Sequence, residues 1–116
     1  MARLQSLGLL LAMGLAACTV SPPPLGSHLP GAFNEASDAF DRRVQQRFAI
    51  GSDERELRGA LANERFTITR DPMYPFAFSA RFTANEWVCR ADWYIRWSVF
   101  AGNIATISGR YSEICL

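Results

Sequence analysis

Three cysteines and one histidine are the residues of this 116-residue chain most often found at reactive centres. Cys18 ends an apolar run near the start, Cys89 and Cys115 lie in the last third, and His28 lies in a proline-rich stretch. A zinc site or a Cys–His or Ser–His pair needs more such residues close together, so the sequence predicts neither. The carboxylates are scattered and no glycine-rich phosphate loop is present. We therefore expect no enzyme, no cofactor, no metal site and no small-molecule substrate.

The residues before Cys18 are typical of a targeting signal. Arg3 supplies positive charge, and Leu4 to Ala17 form an apolar run shorter than the roughly 20 residues that span a bilayer. Its end, Leu15-Ala16-Ala17-Cys18, resembles the lipobox of bacterial lipoproteins. This resemblance implies cleavage before Cys18, acylation of that cysteine and anchoring by its lipid in the outer membrane, facing the periplasm. The alternative is an ordinary secretory signal that happens to precede a cysteine.

The chain is expected to divide into three segments. Residues 1–17 are a signal peptide, residues 18–32 are the lipidated cysteine and a proline-rich tether, and residues 33–116 are one small domain. Prolines in the tether oppose helix and central strand. Without Arg3, arginine and acidic residues are equal in number, and the chain has no lysine. This balance gives no support for a nucleic-acid partner.

Two helices are predicted to open the domain. Apolar residues recur at helical spacing at Phe33, Phe40, Val44 and Phe48, with Asn34 as N-cap. A second helix is expected to begin at the cap Ser52 and to fade near Asn63, with Leu57, Ala60 and Leu61 on its apolar side. Gly59 inside this helix suggests a close packing contact there.

From Phe66 onwards the apolar period changes to two, which is typical of strands. We expect strands over 66–69 and 76–82, a connection over 83–86, and then a hairpin around Gly102. The predicted fold class is therefore α+β, with two N-terminal helices packed on a three- or four-stranded antiparallel sheet that ends in a C-terminal hairpin.

The two strands of that hairpin have apolar faces that coincide in only one register, since a one-residue slip turns a strand over. A tight turn at Gly102 pairs Val99 with Ala105, Trp97 with Ile107, Ile95 with Gly109 and Trp93 with Tyr111. Continued outwards, the same register places Cys89 opposite Cys115. Because Cys18 would carry lipid, these two are expected to form a disulfide in the oxidising periplasm. Two free buried thiols are the alternative.

The hairpin also carries the residues that we single out as a surface for a partner. Trp93 and Trp97 lie on the apolar face and are predicted to be core. The candidate partner surface consists of Trp87, Arg90, Asp92, Tyr94, Arg96 and Arg110. Exposed aromatics beside arginines are typical of interface hot spots. The alternative is a solvated sheet face whose ion pairs contribute little.

Helix, helix and antiparallel sheet is also the order of the BamE/SmpA-type lipoprotein domain, and the stretch from Ile50 to Leu57 resembles its second helix. No Leu-Gly-x-Pro follows that helix here. The resemblance implies an envelope scaffold or assembly accessory with a protein partner. A secreted β-lactamase inhibitor shares the fold, and Ser108-Gly109-Arg110-Tyr111 resembles an element of periplasmic lysozyme inhibitors. Inhibition of a hydrolase is therefore the alternative function.

Overall fold

A computed structural model of the chain describes residues 21–116, so the signal segment and Cys18 lie outside the described residues. Its helices and strands are, in order, α1 (Phe33–Arg47), α2 (Glu54–Asn63), β1 (Thr67–Arg70), β2 (Ala77–Glu86), β3 (Cys89–Phe100) and β4 (Asn103–Cys115). The four strands form one antiparallel sheet in the order β1-β2-β3-β4. The predicted α+β class is confirmed. The expected connection over 83–86 is wrong, because those residues continue β2 and pair with β3.

The sheet has one apolar and one polar face, because side chains alternate along each strand. On the inner face, Phe78, Ile95 and Trp97 form one buried core with residues of both helices. We call the opposite side the open face; it carries Arg81, Tyr94, Arg96, Arg110 and a series of serines and threonines. Neither helix packs on the open face, since the helices contribute their apolar residues to the inner core.

Helix α1 lies directly on β4 because Gly109 has no side chain. A Cβ atom there would lie 2.9 Å from Cγ2 of Val44 and 3.2 Å from the ring of Phe40. The backbone N–H of Gly109 donates to Oδ1 of Asp41 at 2.8 Å, and that of Tyr111 donates to Oγ of Ser37 at 3.2 Å. These side chains of α1 satisfy N–H groups on the outer edge of the sheet, which would otherwise attract another strand.

The β3–β4 hairpin has the predicted register over most of its length, including Trp97 with Ile107 and Trp93 with Tyr111. The predicted pairing of Val99 with Ala105 is wrong. A register shift after Ser98 places Val99 opposite Ile104. This bulge turns Ile104 into the core, where it is 2% exposed. The turn residues Ala101 and Gly102 both have positive φ, at 52° and 82°, which is typical of a two-residue hairpin turn.

The proline-rich segment differs from the expected tether. Leu25 and Gly26 are buried, and the indole N–H of Trp93 donates to the carbonyl of Gly26 at 3.0 Å. The backbone N–H of Leu25 donates to Oε1 of Glu64 at 2.8 Å, while Nη1 of Arg43 donates to the carbonyl of Leu25 at 2.9 Å. A buried indole N–H requires an acceptor, and this segment supplies it. The folded domain therefore includes residues before Phe33.

Both predicted helix caps are wrong. The N-cap of α1 is Ala32, which has no side-chain acceptor, and that of α2 is Asp53, whose side chain accepts from the backbone N–H of Arg55 at 2.8 Å. The hydroxyl of Ser52 is engaged elsewhere, since it donates to the carbonyl of Ala49 at 2.6 Å. Hydrogen bonds from the side chain and backbone of Arg55 lower the pKa of Asp53.

Two glycine substitutions test the packing of α1. We expect Gly109→Ala to destabilise the protein by about 1–3 kcal/mol, because the new methyl group must displace Val44 and Phe40. Gly59 has open space around its Cα, so the expected close contact there is absent, and Gly59→Ala should stabilise α2 by up to about 1 kcal/mol. Denaturant unfolding of both variants measures the two effects. An unchanged midpoint for Gly109→Ala would contradict the described contact between α1 and β4.

Candidate functional site

The open face brings two predicted site residues into one row across the sheet. Arg81 of β2 pairs with Tyr94 of β3, which pairs with Arg110 of β4. Arg96 follows two residues after Tyr94, in the next row on the same face, between Ser79 and Ser108. Side chains of one face in adjacent rows are near neighbours. The phenol ring of Tyr94 is thus surrounded by three arginines from three strands.

The charges of these three arginines are not balanced within the described part of the chain. The guanidinium of Arg81 lies over the ring of Tyr94, with Cζ 4.9 Å from its centroid, in a cation–π contact. Among residues 21–116, the salt bridges involve Arg47, Arg55, Arg58 and Arg90, and none involves Arg81, Arg96 or Arg110. The centre of the open face therefore carries positive charge available to a partner.

Asp92, also predicted as a contact, has a different position. It is nearly buried, accepts a hydrogen bond from the hydroxyl of Thr83 and accepts another from Nε of Arg90 at 3.2 Å. Its carboxylate oxygens thus already accept hydrogen bonds from side chains of the open face. Asp92 therefore orients Arg90 and neutralises it, while the more central arginines keep their charge.

The hydrogen-bonding character of the face favours carboxylate oxygens. A shallow depression of about 170 Å³ is lined by Tyr94, Arg96, Ser108, Gly109 and Arg110. Guanidinium groups present paired N–H donors that match the two oxygens of a carboxylate. The surrounding hydroxyls can donate as well. This arrangement is suited to binding acidic side chains on a surface rather than to enclosing a small molecule.

Trp87 lies apart from Tyr94, Arg96 and Arg110. It occupies the turn between β2 and β3, with φ of 38°, and is 98% exposed. Val88, Ile114 and Leu116 are also exposed, and the backbone N–H of Leu116 donates to the carbonyl of Val88 at 2.8 Å. We call these four residues the tip patch. The predicted surface is therefore two surfaces, the basic open face and the apolar tip patch.

Cys89 and Cys115 lie opposite each other at the same end of the sheet and are joined by a disulfide. Their sulfurs and a carboxylate oxygen of Glu113 lie within 4.8 Å of one another. Sulfurs in a disulfide are not thiolates, so this group does not offer a metal the ligands it needs. The bond instead fixes the ends of β3 and β4 next to the tip patch.

The inner-face aromatics have structural roles. Trp93 and Trp97 are buried, and the indole N–H of Trp97 donates to Oε2 of Glu54 at 3.0 Å. Burial raises the pKa of Tyr111, and the charges of Glu113 and Glu86 raise it further. Its phenol is therefore neutral at physiological pH.

Arg81 belongs to the open face, although the partner surface predicted from the sequence did not include it. Its neighbours Ala80 and Phe82 are apolar, and this alternation alone places Arg81 on the opposite face. Its pairing with Tyr94 depends on the register between β2 and β3. The sequence does not fix that register, because these two strands contain no pair of residues that must lie opposite each other, as the two cysteines do in β3 and β4.

No protein-family model, curated protein or solved structure matches this chain. Among the helices of residues 21–116, none is both long and apolar enough to cross a membrane.

The disulfide predicts a local change on its removal. In the double variant Cys89→Ser/Cys115→Ser we expect faster amide hydrogen exchange at Arg90 and Ile114, which pair across the two strands, because the strand ends are no longer joined, while Ile95 stays protected in the core. Stability should fall by less than the roughly 3 kcal/mol of a comparable free loop, since the hairpin already restricts these ends. Thiol titration of the denatured, unreduced chain is the direct check. Reactive thiols at both Cys89 and Cys115 would contradict the bond.

Proposed function

We propose that the protein is a non-enzymatic lipoprotein of the outer membrane, facing the periplasm, whose open face binds an acidic surface on an envelope protein. In this role it acts as a scaffold or assembly accessory. The observation that carries the proposal is Tyr94 surrounded by Arg81, Arg96 and Arg110, on a sheet face that neither helix covers.

The geometry favours docking on the face of the sheet over addition of a strand at its edge. The outer N–H groups of β4 at Gly109 and Tyr111 are already bonded to α1. At the other edge, β1 has four residues, from Thr67 to Arg70. Beyond β1, no strand of residues 21–116 pairs with the outer side of β2 over the five residues from Phe82 to Glu86. Strand addition uses a row of unpaired backbone groups, and this short stretch remains beside β1. A partner would therefore meet side chains, with Tyr94 and the arginines as anchors.

Charge determines which partner is favoured. Tyrosine and arginine are the residues that most often dominate interface energies, and arginine pairs with carboxylates through two parallel hydrogen bonds. A nucleic acid is disfavoured because the net charge of the chain is +1, which gives little long-range attraction for a polyanion. An acidic protein surface is therefore the occupant that we propose.

The lipid anchor in this proposal is supported by the Leu15-Ala16-Ala17-Cys18 sequence, which lies outside the described residues. Packing of the segment from Pro23 to Leu29 on the domain leaves a much shorter spacer than a tether over residues 18–32 would give. At about 3.5 Å per residue, the chain from Cys18 to Pro23 spans at most about 18 Å. The domain would therefore stay close to the membrane.

Hydrolase inhibition is less well supported. The Ser108-Gly109-Arg110-Tyr111 sequence lies within β4, where Ser108 and Arg110 belong to the open face and Tyr111 packs against Trp93 on the inner face, with ring centroids 5.2 Å apart. The four residues thus form no single contact surface. An inhibitor would have to use the same open face as a scaffold. The position of the surface therefore does not distinguish the two functions, and an experiment must do so.

Photo-crosslinking in intact envelopes tests the proposed function. With a photoreactive residue at Tyr94 we expect a specific protein adduct, and at the exposed Arg55 of α2, the matched control, none. Arg96→Glu together with Arg110→Glu should reduce the Tyr94 adduct at least about tenfold, because two favourable charges become repulsive. Arg55→Glu should leave it unchanged.

Equal adducts from both positions, or an adduct insensitive to charge reversal, would contradict the proposal. Addition of the mature protein to lysozyme and to β-lactamase is the companion assay. Inhibition that Arg96→Glu abolishes would replace the scaffold function by the inhibitor function.

A further inference from the structure

The tip patch is an exposed apolar surface that the proposed docking face does not use. Trp87 is 98% exposed and Ile114 63% exposed, and Val88 and Leu116 extend the patch. Single exposed apolar residues are ordinary, whereas four together at one end of a sheet indicate an interaction surface.

The patch is held in place by the backbone around it. The disulfide between Cys89 and Cys115 lies directly behind it, and the hydrogen bond between Leu116 and Val88 closes the pair of strands beyond that bond. Arg90 faces Ile114 across the strands and is oriented by Asp92. The result is a rigid apolar tip with one guanidinium beside it.

The chain from the predicted lipid site reaches the domain beside β2. Ser21 and Pro22 line a cleft with Phe82, which is four residues before Glu86 at the end of β2. Pro22 also lines a cleft of about 340 Å³ together with Glu86 and Cys89, the residues on either side of the Trp87–Val88 turn. Cys18 is four residues before Pro22. At about 3.5 Å per residue, those four residues reach at most about 14 Å. A lipid on Cys18 would thus hold the tip patch near the membrane surface.

We propose that the tip patch inserts into the interfacial layer of the membrane that carries the Cys18 lipid. This inference rests on the lipid anchor of the proposed function. Tryptophan favours the boundary between acyl chains and headgroups, since its ring is apolar and its N–H can donate a hydrogen bond.

Insertion would orient the whole domain. Tyr94 follows Trp87 by seven residues, mostly along β3, and at about 3.4 Å per residue this corresponds to about 24 Å. The strands would rise from the membrane, and the open face would look sideways along it. An envelope protein beside the lipoprotein could then contact Tyr94 and its arginines while both stay in the same bilayer.

Quenching of tryptophan emission tests the insertion. The lipidated full chain is placed in phosphatidylcholine–phosphatidylethanolamine vesicles with brominated acyl chains. We expect the emission of Trp87 to be quenched by the bromines and to lose most of its quenching by aqueous iodide. Trp93 and Trp97 are buried in the protein core. The variant Trp87→Phe retains only these two tryptophans, so its emission measures their contribution to the total signal.

A tryptophan at the opposite end of the sheet is the matched control. Phe100, at the β3–β4 turn, is 77% exposed. In the double variant Trp87→Phe/Phe100→Trp, the new tryptophan should be quenched by iodide and not by the brominated lipid. Equal lipid quenching at both ends would show that the whole domain lies flat, which overturns the proposal.

Other occupants of the patch give different results. If the tip binds a second copy or another protein, Trp87 stays accessible to iodide in dilute vesicles and is not quenched by bromine. The mass of the chain reports acylation of Cys18 independently. If Cys18 is not acylated, the lipid anchor of the proposed function is wrong. Co-sedimentation of the unacylated chain with vesicles still measures whether the tip patch binds the membrane. Trp87→Ser should then reduce vesicle binding roughly tenfold, and unchanged binding would overturn insertion.

Discussion

The close approach of α1 to β4 at Gly109 is the constraint on which the other features of this domain depend. Without a side chain at that position, Val44 and Phe40 lie against the strand itself, and Asp41 and Ser37 reach its outer N–H groups. One helix thus covers part of the inner face and also blocks one edge of the sheet. What remains accessible is the open face, which explains why a partner is expected to contact side chains there instead of adding a strand.

The packing of the proline-rich segment depends on a second close approach, at Gly26. A Cβ atom on that glycine would collide with the indole of Trp93, whose N–H donates to the carbonyl of Gly26. Glycine therefore permits the segment to lie on the ring, and the hydrogen bond satisfies a buried donor. This contact makes the segment around Leu25 and Gly26 part of the folded domain. In the proposed orientation, the cleft beside Pro22 and the tip patch belong to the end of the domain that faces the membrane.

The features that follow from local alternation could be predicted from the sequence, whereas those that depend on tertiary contacts could not. The strand period of two and the coincidence of apolar faces predicted the pairs from Trp93–Tyr111 to Trp97–Ile107 and placed Cys89 opposite Cys115. The bulge at Ala105 of β4 was missed because the tight turn at Ala101 and Gly102 determines where the extra residue lies. The packed proline-rich segment was missed because its burial depends on Trp93, far along the chain. The separation of Trp87 from Tyr94 could not be read from the strand pattern, because Trp87 lies in the turn between β2 and β3.

The positive charge of the open face is not explained by the needs of the fold. Arg90 is paired with Asp92, and Arg58 and Arg47 pair with acids on or beside α2, whereas Arg81, Arg96 and Arg110 form no salt bridge among residues 21–116. Three like charges around Tyr94 repel one another, and only the cation–π contact of Arg81 offsets part of that cost. Serine or threonine at these positions would keep the sheet polar without repulsion. Arginines concentrated where they do not stabilise the protein are therefore best explained by an external anionic group, and the nearby hydroxyls and fork-shaped donors are suited to carboxylates on a protein surface.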